Sequence, residues 1–236
     1  MKIGKIGRTG ISEKTHLKMI KNTPEDDAYF SKIKKTFNLN NNLRVLEIGF
    51  GNGNFLNYCK NNNWDVVGVE LIKELLDRAT SAGFSVYDNI DNIPNKKFDL
   101  VVCFDVLEHI EHIEVVNFLK KIKSLLNPGG SLIIRTPNGS SPLGLANQHG
   151  DITHVNIITA TKMGFWGSSA GLELQYQNGD VYSIYNGKML KIPTRIIKRL
   201  LQLLIERLLR WVFSPQSKGF LSANALFLLK VKKHES

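Results

Sequence analysis

The sequence predicts an α/β fold, a doubly wound parallel sheet with helices on both faces. Three observations carry this. Between Arg44 and Thr136, short apolar, β-branched runs alternate with amphipathic stretches, as strands buried on both faces require. A glycine turn, Gly49 to Gly53, follows the first of those strands and opens a helix. An acid, Glu70, ends the second.

In chain order, residues 1–22 are basic and weakly periodic, a flexible arm or a short lid helix. A helix then starts at Pro24 with Thr23 as its N-cap and Glu25, Asp26 and Asp27 in the first turn. It runs to about Phe37, where an asparagine-rich run ends it. Strands are expected over Arg44 to Ile48, Asp65 to Glu70, Phe84 to Tyr87, Phe98 to Phe104 and Ser131 to Thr136. The helices between them run to about Asn61, over Lys73 to Ser81, and over His112 to Leu126. Asn127-Pro128-Gly129-Gly130 is expected to end the last of these. Asn138 to Gly150 reads as a loop. A helix over Thr159 to Ala170 precedes a sixth strand, Leu172 to Gln177. A linker, Gly187 to Pro193, leads to a long helix at about 194–213, a turn over Ser214 to Gly219 and a last strand, Ala225 to Val231. The expected organisation is an arm and lid helix over 1–38 and one domain over 39–236, into which the helix 194–213 is inserted.

The chain has 236 residues, 42% hydrophobic and 22% charged, a globular composition rather than a disordered one. Its two cysteines, Cys59 and Cys103, sit in apolar runs and read as buried reduced thiols, which fits a cytoplasmic compartment. No signal peptide is expected, and no apolar run is long enough to span a bilayer. The formal charge of +10 is concentrated at the two ends, from Lys2 to Lys21 and from Arg195 to Lys233. It is either a solvated surface or a basic face for an anionic partner.

The strand, glycine turn and helix place backbone N–H groups at the carboxyl end of the sheet. Glu70, at the tip of the second strand, suits the hydroxyls of a bound ribose. A dinucleotide fingerprint wants a small residue where Asn54 stands. Glu47 also lies just before the first glycine. A carboxylate there is poorly placed beside a pyrophosphate and well placed near an ammonium and a sulfonium.

The stretches VLEIGFGNGNFL (45–56), VVGVE (66–70), FDLVVCFDVLEHI (98–110) and LLNPGGSLIIRTPN (125–138) resemble those of class I S-adenosylmethionine-dependent methyltransferases. The resemblance covers about residues 40–140. It implies a Rossmann-like seven-stranded sheet whose last strand is antiparallel. It implies S-adenosyl-L-methionine as cofactor, with Glu47, Gly49, Gly51 and Gly53 at its methionine part and Glu70 at its ribose. Asp88 and Asn89 match the adenine position, and Phe104 and Asp105 line the methionine end.

Asp105-Val106-Leu107-Glu108-His109 lies at the mouth of that site. His109 is a candidate general base. Alternatively, Asp105, Glu108, His109 and a later histidine, His154, hold a divalent ion that acidifies a substrate hydroxyl. The pattern is similar to that of metal-dependent ubiquinone-biosynthesis and small-RNA O-methyltransferases, which usually carry Glu where Asp105 stands. The plainer reading is that Glu108 and His109 orient their own helix, and we take no metal as the expectation. His154 follows the loop after the fifth strand, as a second base or as a tie between loop and sheet. Asp151 is a lesser candidate beside it. His109, His154 and Asp105 are the expected catalytic set.

The stretch 194–213 has a broad apolar arc and a basic polar face. It is an interfacial helix on anionic lipid, a dimer or lid surface, or a helix packed on the sheet edge.

The sequence therefore predicts an S-adenosylmethionine-dependent methyltransferase. Its expected action is O-methylation of a saccharide, a quinone-like lipid or another lipid-linked small acceptor, in the cytoplasm or at the inner face of the membrane. Two alternatives stand beside it. One is an RNA 2′-O-methyltransferase, disfavoured because the chain lacks an aromatic-interleaved basic stripe. The other is a non-catalytic methyltransferase-like partner that binds the cofactor.

Overall fold

A computed structural model describes residues 21–94, 97–183, 190, 192–213, 219 and 221–232. The arm and its basic residues before Lys21 lie outside the described residues. So do most of the linker after Gly187, the turn from Ser214 except Gly219, and the last lysine, Lys233.

The first helix, α1 (Pro24–Thr36), opens with a capping box. The Thr23 hydroxyl accepts from Asp26 N at 3.2 Å, and Asp26 Oδ2 accepts from Thr23 N at 2.8 Å. Its buried residues are Phe30 and Ile33. Then follow β1 (Arg44–Ile48), α2 (Asn54–Asn61), β2 (Asp65–Val69), α3 (Lys73–Ser81), β3 (Ser85–Tyr87), β4 (Phe98–Phe104), α4 (Val115–Leu125) and β5 (Leu126–Pro137). The chain continues through α5 (Leu145–His149), α6 (Ala160–Ser169), β6 (Leu172–Gly179), α7 (Ile192–Phe213) and β7 (Asn224–Val231).

The strands form one seven-stranded sheet in the order β3-β2-β1-β4-β5-β7-β6. β1 to β5 pair in parallel, and β7 runs antiparallel to both β5 and β6. The chain winds outward from β1 in one direction and from β4 in the other. The crevice at the carboxyl ends of β1 and β4 is therefore the topological switch point, where open α/β sheets take their ligands.

Alternate residues of each central strand enter different cores. Leu100 and Val102 of β4 join α1 and α2 on one face, and Val101 and Cys103 join α4 and α6 on the other. A third cluster, of Phe50, Leu56, Leu75, Ala79 and Phe84, lies between α2 and α3. Cys59 and Cys103 are free and buried, and burial pushes both thiols up.

Three local expectations are corrected. Asn127 to Gly130 do not separate α4 from β5: Leu126 already pairs with Phe98, and the four residues fall in a register shift of the same ladder. Gly129 takes the left-handed conformation there, at φ +78°. A 3-10 turn over His112–Glu114 precedes α4, which begins at Val115 without a side-chain cap. The loop after β5 contains the short helix α5.

Candidate functional site

At the switch point the glycine loop turns under β2. Gly49 N donates to Val69 O at 2.7 Å, and Gly53 N donates to Phe50 O at 2.8 Å. Gly49, Gly51 and Gly53 all have positive φ, at 73°, 52° and 77°. Their roles differ in space. A Cβ on Gly49 would lie 2.6 Å from Val106 Cγ2, whereas a Cβ on Gly51 would meet nothing within 4 Å. Gly49 lets the loop touch the turn after β4, and Gly51 borders open room.

Glu70 organises the loop from the next strand tip. Its Oε2 accepts from Gly51 N at 3.0 Å, and its Oε1 accepts from Leu71 N at 2.8 Å and Ile72 N at 3.2 Å. Oε1 is thus filled by two donors, and Oε2 keeps a further lone pair for a ligand.

Glu47 is 4% exposed, and its Oε2 has no hydrogen-bond partner among the described residues. Desolvation first, then the charge of Glu70, push its carboxyl well above the usual range; the Leu56 backbone N–H offsets part of this. The side-chain oxygen of Asn54, at the start of α2, is likewise buried without a partner. A buried carboxylate and an amide oxygen, both short of donors, fit a ligand bearing an ammonium. The residues present therefore fit the expected sulfonium cofactor.

Asp88 and Asn89 lie just after β3, beside Glu70, whose N donates to Tyr87 O at 3.1 Å. Here their side chains hold the following 3-10 turn: Asp88 Oδ1 accepts from Asn92 Nδ2 at 2.7 Å, and Asn89 Oδ1 from Asp91 N at 3.1 Å. Phe104 packs among aromatics, edge-on to Phe55 with centroids 5.3 Å apart.

Asp105 does not join Glu108 and His109. It takes a left-handed backbone, φ 57°, and faces Arg135 on the neighbouring strand, where register pairs Phe104 with Arg135. The guanidinium forks onto both carboxylate oxygens, with Nε 3.2 Å from Oδ1 and Nη2 on Oδ2. Its Nη1 donates to Tyr29 Oη at 3.1 Å, and Tyr29 Oη donates to Asp180 Oδ1 at 2.8 Å. Burial, then Asp180, push the Tyr29 phenol up. This network fastens α1 over the site. Sequence reading missed it, although Arg135 stood out as a lone charge in an apolar strand.

His109 and His154 do come together, their rings edge to face with centroids 4.8 Å apart. The post-β5 loop is pinned to the 3-10 turn over Leu107–His109, where Val155 N and Asn156 N donate to Glu108 O at 2.9 and 3.1 Å. His109 Nδ1 lies 3.2 Å from Thr153 O and 2.9 Å from Thr153 Oγ1. A carbonyl only accepts, so Nδ1 carries the proton and Nε2 the lone pair. Thr153 Oγ1 in turn donates to Asp151 Oδ1 at 2.6 Å. Hydrogen bonds from the Thr153 side chain and backbone hold the Asp151 carboxyl below its ordinary range. Asp151 Oδ2 also lies 3.8 Å from His154 Nε2. Thr153 is a link that sequence reasoning missed; its place next to His154 was the only signal. His149, five residues before His154, is exposed.

Glu108, His109 and His154 offer ligand atoms within 4.8 Å of one another, and Glu108 is buried. Asp105 is not part of this group.

The chain matches a family model described as "Methyltransferase domain" over residues 22–177. A curated relative, a ubiquinone biosynthesis O-methyltransferase of Rickettsia bellii, is 28% identical over 119 residues, 45% of this chain and 47% of that protein. An uncharacterized protein of Methanocaldococcus jannaschii is 31% identical over 121 residues, 49% of this chain and 52% of that protein. The chain thus spans about half the length of the curated relatives it matches. Among solved structures, a SAM dependent methyltransferase from Archaeoglobus fulgidus aligns with a TM-score of 0.59 at 20% identity, covering 86% of this chain and 94% of that one. The CcbJ methyltransferase from Streptomyces caelestis aligns with a TM-score of 0.60 at 14% identity, covering 90% and 92%. At these identities the likeness is one of fold.

Proposed function

The chain belongs to the methyltransferase domain family, and from that premise we propose that it is an S-adenosylmethionine-dependent O-methyltransferase. The observation that carries the cofactor is the buried, donor-poor carboxylate of Glu47 just before a glycine loop that leaves open room at Gly51. Glu47 would take the ammonium, the glycine loop would border the rest of the methionine part, and Glu70 would take the ribose hydroxyls. Asp88 and Asn89 stand at the adenine end, and Phe104 and Asp105 at the methionine end. Bound S-adenosylmethionine supplies a methyl group on a sulfonium that is already a strong electrophile.

The protein's remaining task is alignment and removal of a proton. His109 Nε2 accepts the proton of the acceptor hydroxyl. His109 Nδ1–H stays bonded to Thr153, which passes the interaction to Asp151. The Asp151 carboxylate thereby steadies the imidazolium. His154, against the His109 ring, positions it and lines the acceptor side. Asp105, forked by Arg135, shapes the turn that presents these groups.

The acceptor class is a hydroxyl on a small, lipid-linked molecule. A quinol-like ring is the first candidate, supported by the names of the curated relatives, and a saccharide hydroxyl the second. The test is methyl transfer from labelled cofactor to a cell extract fractionated into lipid, glycan and RNA. Label in lipid or glycan supports the proposal. Label in RNA, or retained cofactor binding with no label anywhere, contradicts it.

One observation favours a second reading. The Glu108, His109 and His154 cluster has the ligand types of a divalent metal site. Activity that survives exhaustive chelation supports His109 as the base. Activity lost on chelation and restored by a divalent ion moves the proposal to metal-assisted deprotonation at the same residues.

A further inference from the structure

The helix α7 is built the wrong way round for a helix packed on a protein core. It is 22 residues long and none of them is buried. The stripe that faces the protein is mostly polar: Arg195, Arg199, Gln202, Glu206 and Arg210, spaced three to four residues apart, are half-buried, and the apolar residues that join them are Ile192 and Leu209. Arg195 Nη2 lies 3.7 Å from Glu25 Oε1 of α1. The Arg199 guanidinium stands over the Tyr182 ring at 5.3 Å, and Tyr182 Oη donates to Arg195 O at 3.3 Å. The opposite face is apolar and open. Ile197, Leu200, Leu204 and Leu208 are 59%, 60%, 64% and 56% exposed, and Trp211 is 82% exposed. Each such side chain left in water forgoes about 1.5–3 kcal/mol of burial. An arc of this size on a folded chain marks a surface with a partner.

The charges choose the partner. The helix carries Arg195, Lys198, Arg199, Arg207 and Arg210 against the single acid Glu206, and that acid lies on the inward stripe, bonded to Arg210 at 2.8 Å. At about 100° per residue, Arg207 falls within the apolar arc and Lys198 at its edge, and both are exposed. Two copies packed through this face would bring cation to cation with no acid to answer them. A bilayer with anionic headgroups takes the apolar arc into its interface and the cations at its surface. The helix has no stretch apolar enough to cross, so it lies in the plane. We propose that α7 docks this protein on an anionic lipid surface through the arc around Leu204. Its tie to Glu25, one turn before Tyr29 on the helix that covers the site, sets that surface beside the acceptor side.

The test needs no methyl transfer. Trp64 and Trp166 are 4% and 2% exposed, so a change in tryptophan emission on adding vesicles reports Trp211. The full chain is mixed with vesicles of phosphatidylcholine alone or of phosphatidylcholine and phosphatidylglycerol, sedimented, and read by emission. The expected result is a blue shift and co-sedimentation with the anionic vesicles, at least about tenfold stronger than with the neutral ones. The double variant Leu204→Glu, Leu208→Glu, whose changes are on the open face and whose fold is checked by circular dichroism, stays in the supernatant. Wild-type protein that sediments with neither vesicle overturns the proposal. So does equal binding to both, or a dimer in sedimentation velocity that the double variant abolishes while vesicles bind neither protein.

Discussion

His109 and His154 meet edge to face at 4.8 Å between ring centroids, although one follows β4 and the other the loop beyond β5. What joins them is backbone: two N–H groups of the loop, from Val155 and Asn156, converge on the carbonyl of Glu108. The imidazole pair is thus fixed by the same hydrogen bonds that close the loop, and it borders the glycine turn through the Val106 contact with Gly49.

If His109 is the base, His109→Asn lowers kcat by about 10²–10⁴-fold and leaves the dissociation constant for the cofactor unchanged. Thr153→Val, which removes the link to Asp151, lowers kcat by about tenfold or more, and Thr153→Ser restores it. Steady-state kinetics and cofactor titration on the variants check both. A Thr153→Val enzyme with full kcat removes Thr153 from the mechanism.

Glu47 gives a pH-dependent prediction. Its carboxyl is pushed up by burial and by Glu70, so the folded state holds this proton more tightly than the unfolded chain. Its contribution to stability is present below the ordinary carboxylate range and is lost as pH rises through the raised value. Without ligand, Glu47→Gln is therefore more stable than wild type at neutral pH, and the gap closes in acid. The same variant binds S-adenosylmethionine about ten- to a hundredfold more weakly, for loss of a charged hydrogen bond. Thermal melts across pH and calorimetric titration read the two effects, which have opposite signs.

The glycine loop separates space from strain. Gly51→Ala places a methyl in the open region at φ +52°, costing about 1–2 kcal/mol of stability but obstructing the ligand. Gly49→Ala meets Val106 Cγ2 as well as a positive φ and costs more, about 2–4 kcal/mol. Urea melts rank Gly49→Ala below Gly51→Ala in stability, while both fail to bind cofactor.

Arg135→Met removes the fork from Asp105 and the donor to Tyr29. The pair is part-exposed, at 23% and 39%, so the cost is discounted to about 2 kcal/mol. Arg135→Lys keeps the charge without the fork and recovers only part of it. Chemical denaturation orders the three proteins wild type, Lys, Met. A Met variant as stable as wild type shows that the network does not hold α1.

Much of this was legible in the chain. β1, α3 and β4 fall on the expected residues because each is a strongly patterned segment with clear punctuation: Asn42 and Gly49 around β1, Gly83 after α3. The glycine turn, Glu47 and Glu70 were legible because they are local to one βαβ unit. Arg135 facing Asp105, and Thr153 linking His109 to Asp151, were not, because each depends on strand register or on a loop closing across the sheet. Asn127 to Gly130 misled for a related reason. A turn signal marks where a chain bends, and only the pairing of Leu126 with Phe98 shows that the ladder had already begun. For α7 the amphipathic pattern was plain, but which face turned inward was set by Glu25 and Tyr182.

We propose the Val45 to Leu56 loop, with Glu47 and Glu70, as the sulfonium-cofactor site. Calorimetric titration of the purified chain with S-adenosylmethionine tests it most directly. Saturable one-to-one binding is expected, weakened at least about tenfold in Glu70→Ala by the loss of a charged hydrogen-bond acceptor. Wild-type protein that is folded and binds no S-adenosylmethionine would contradict it.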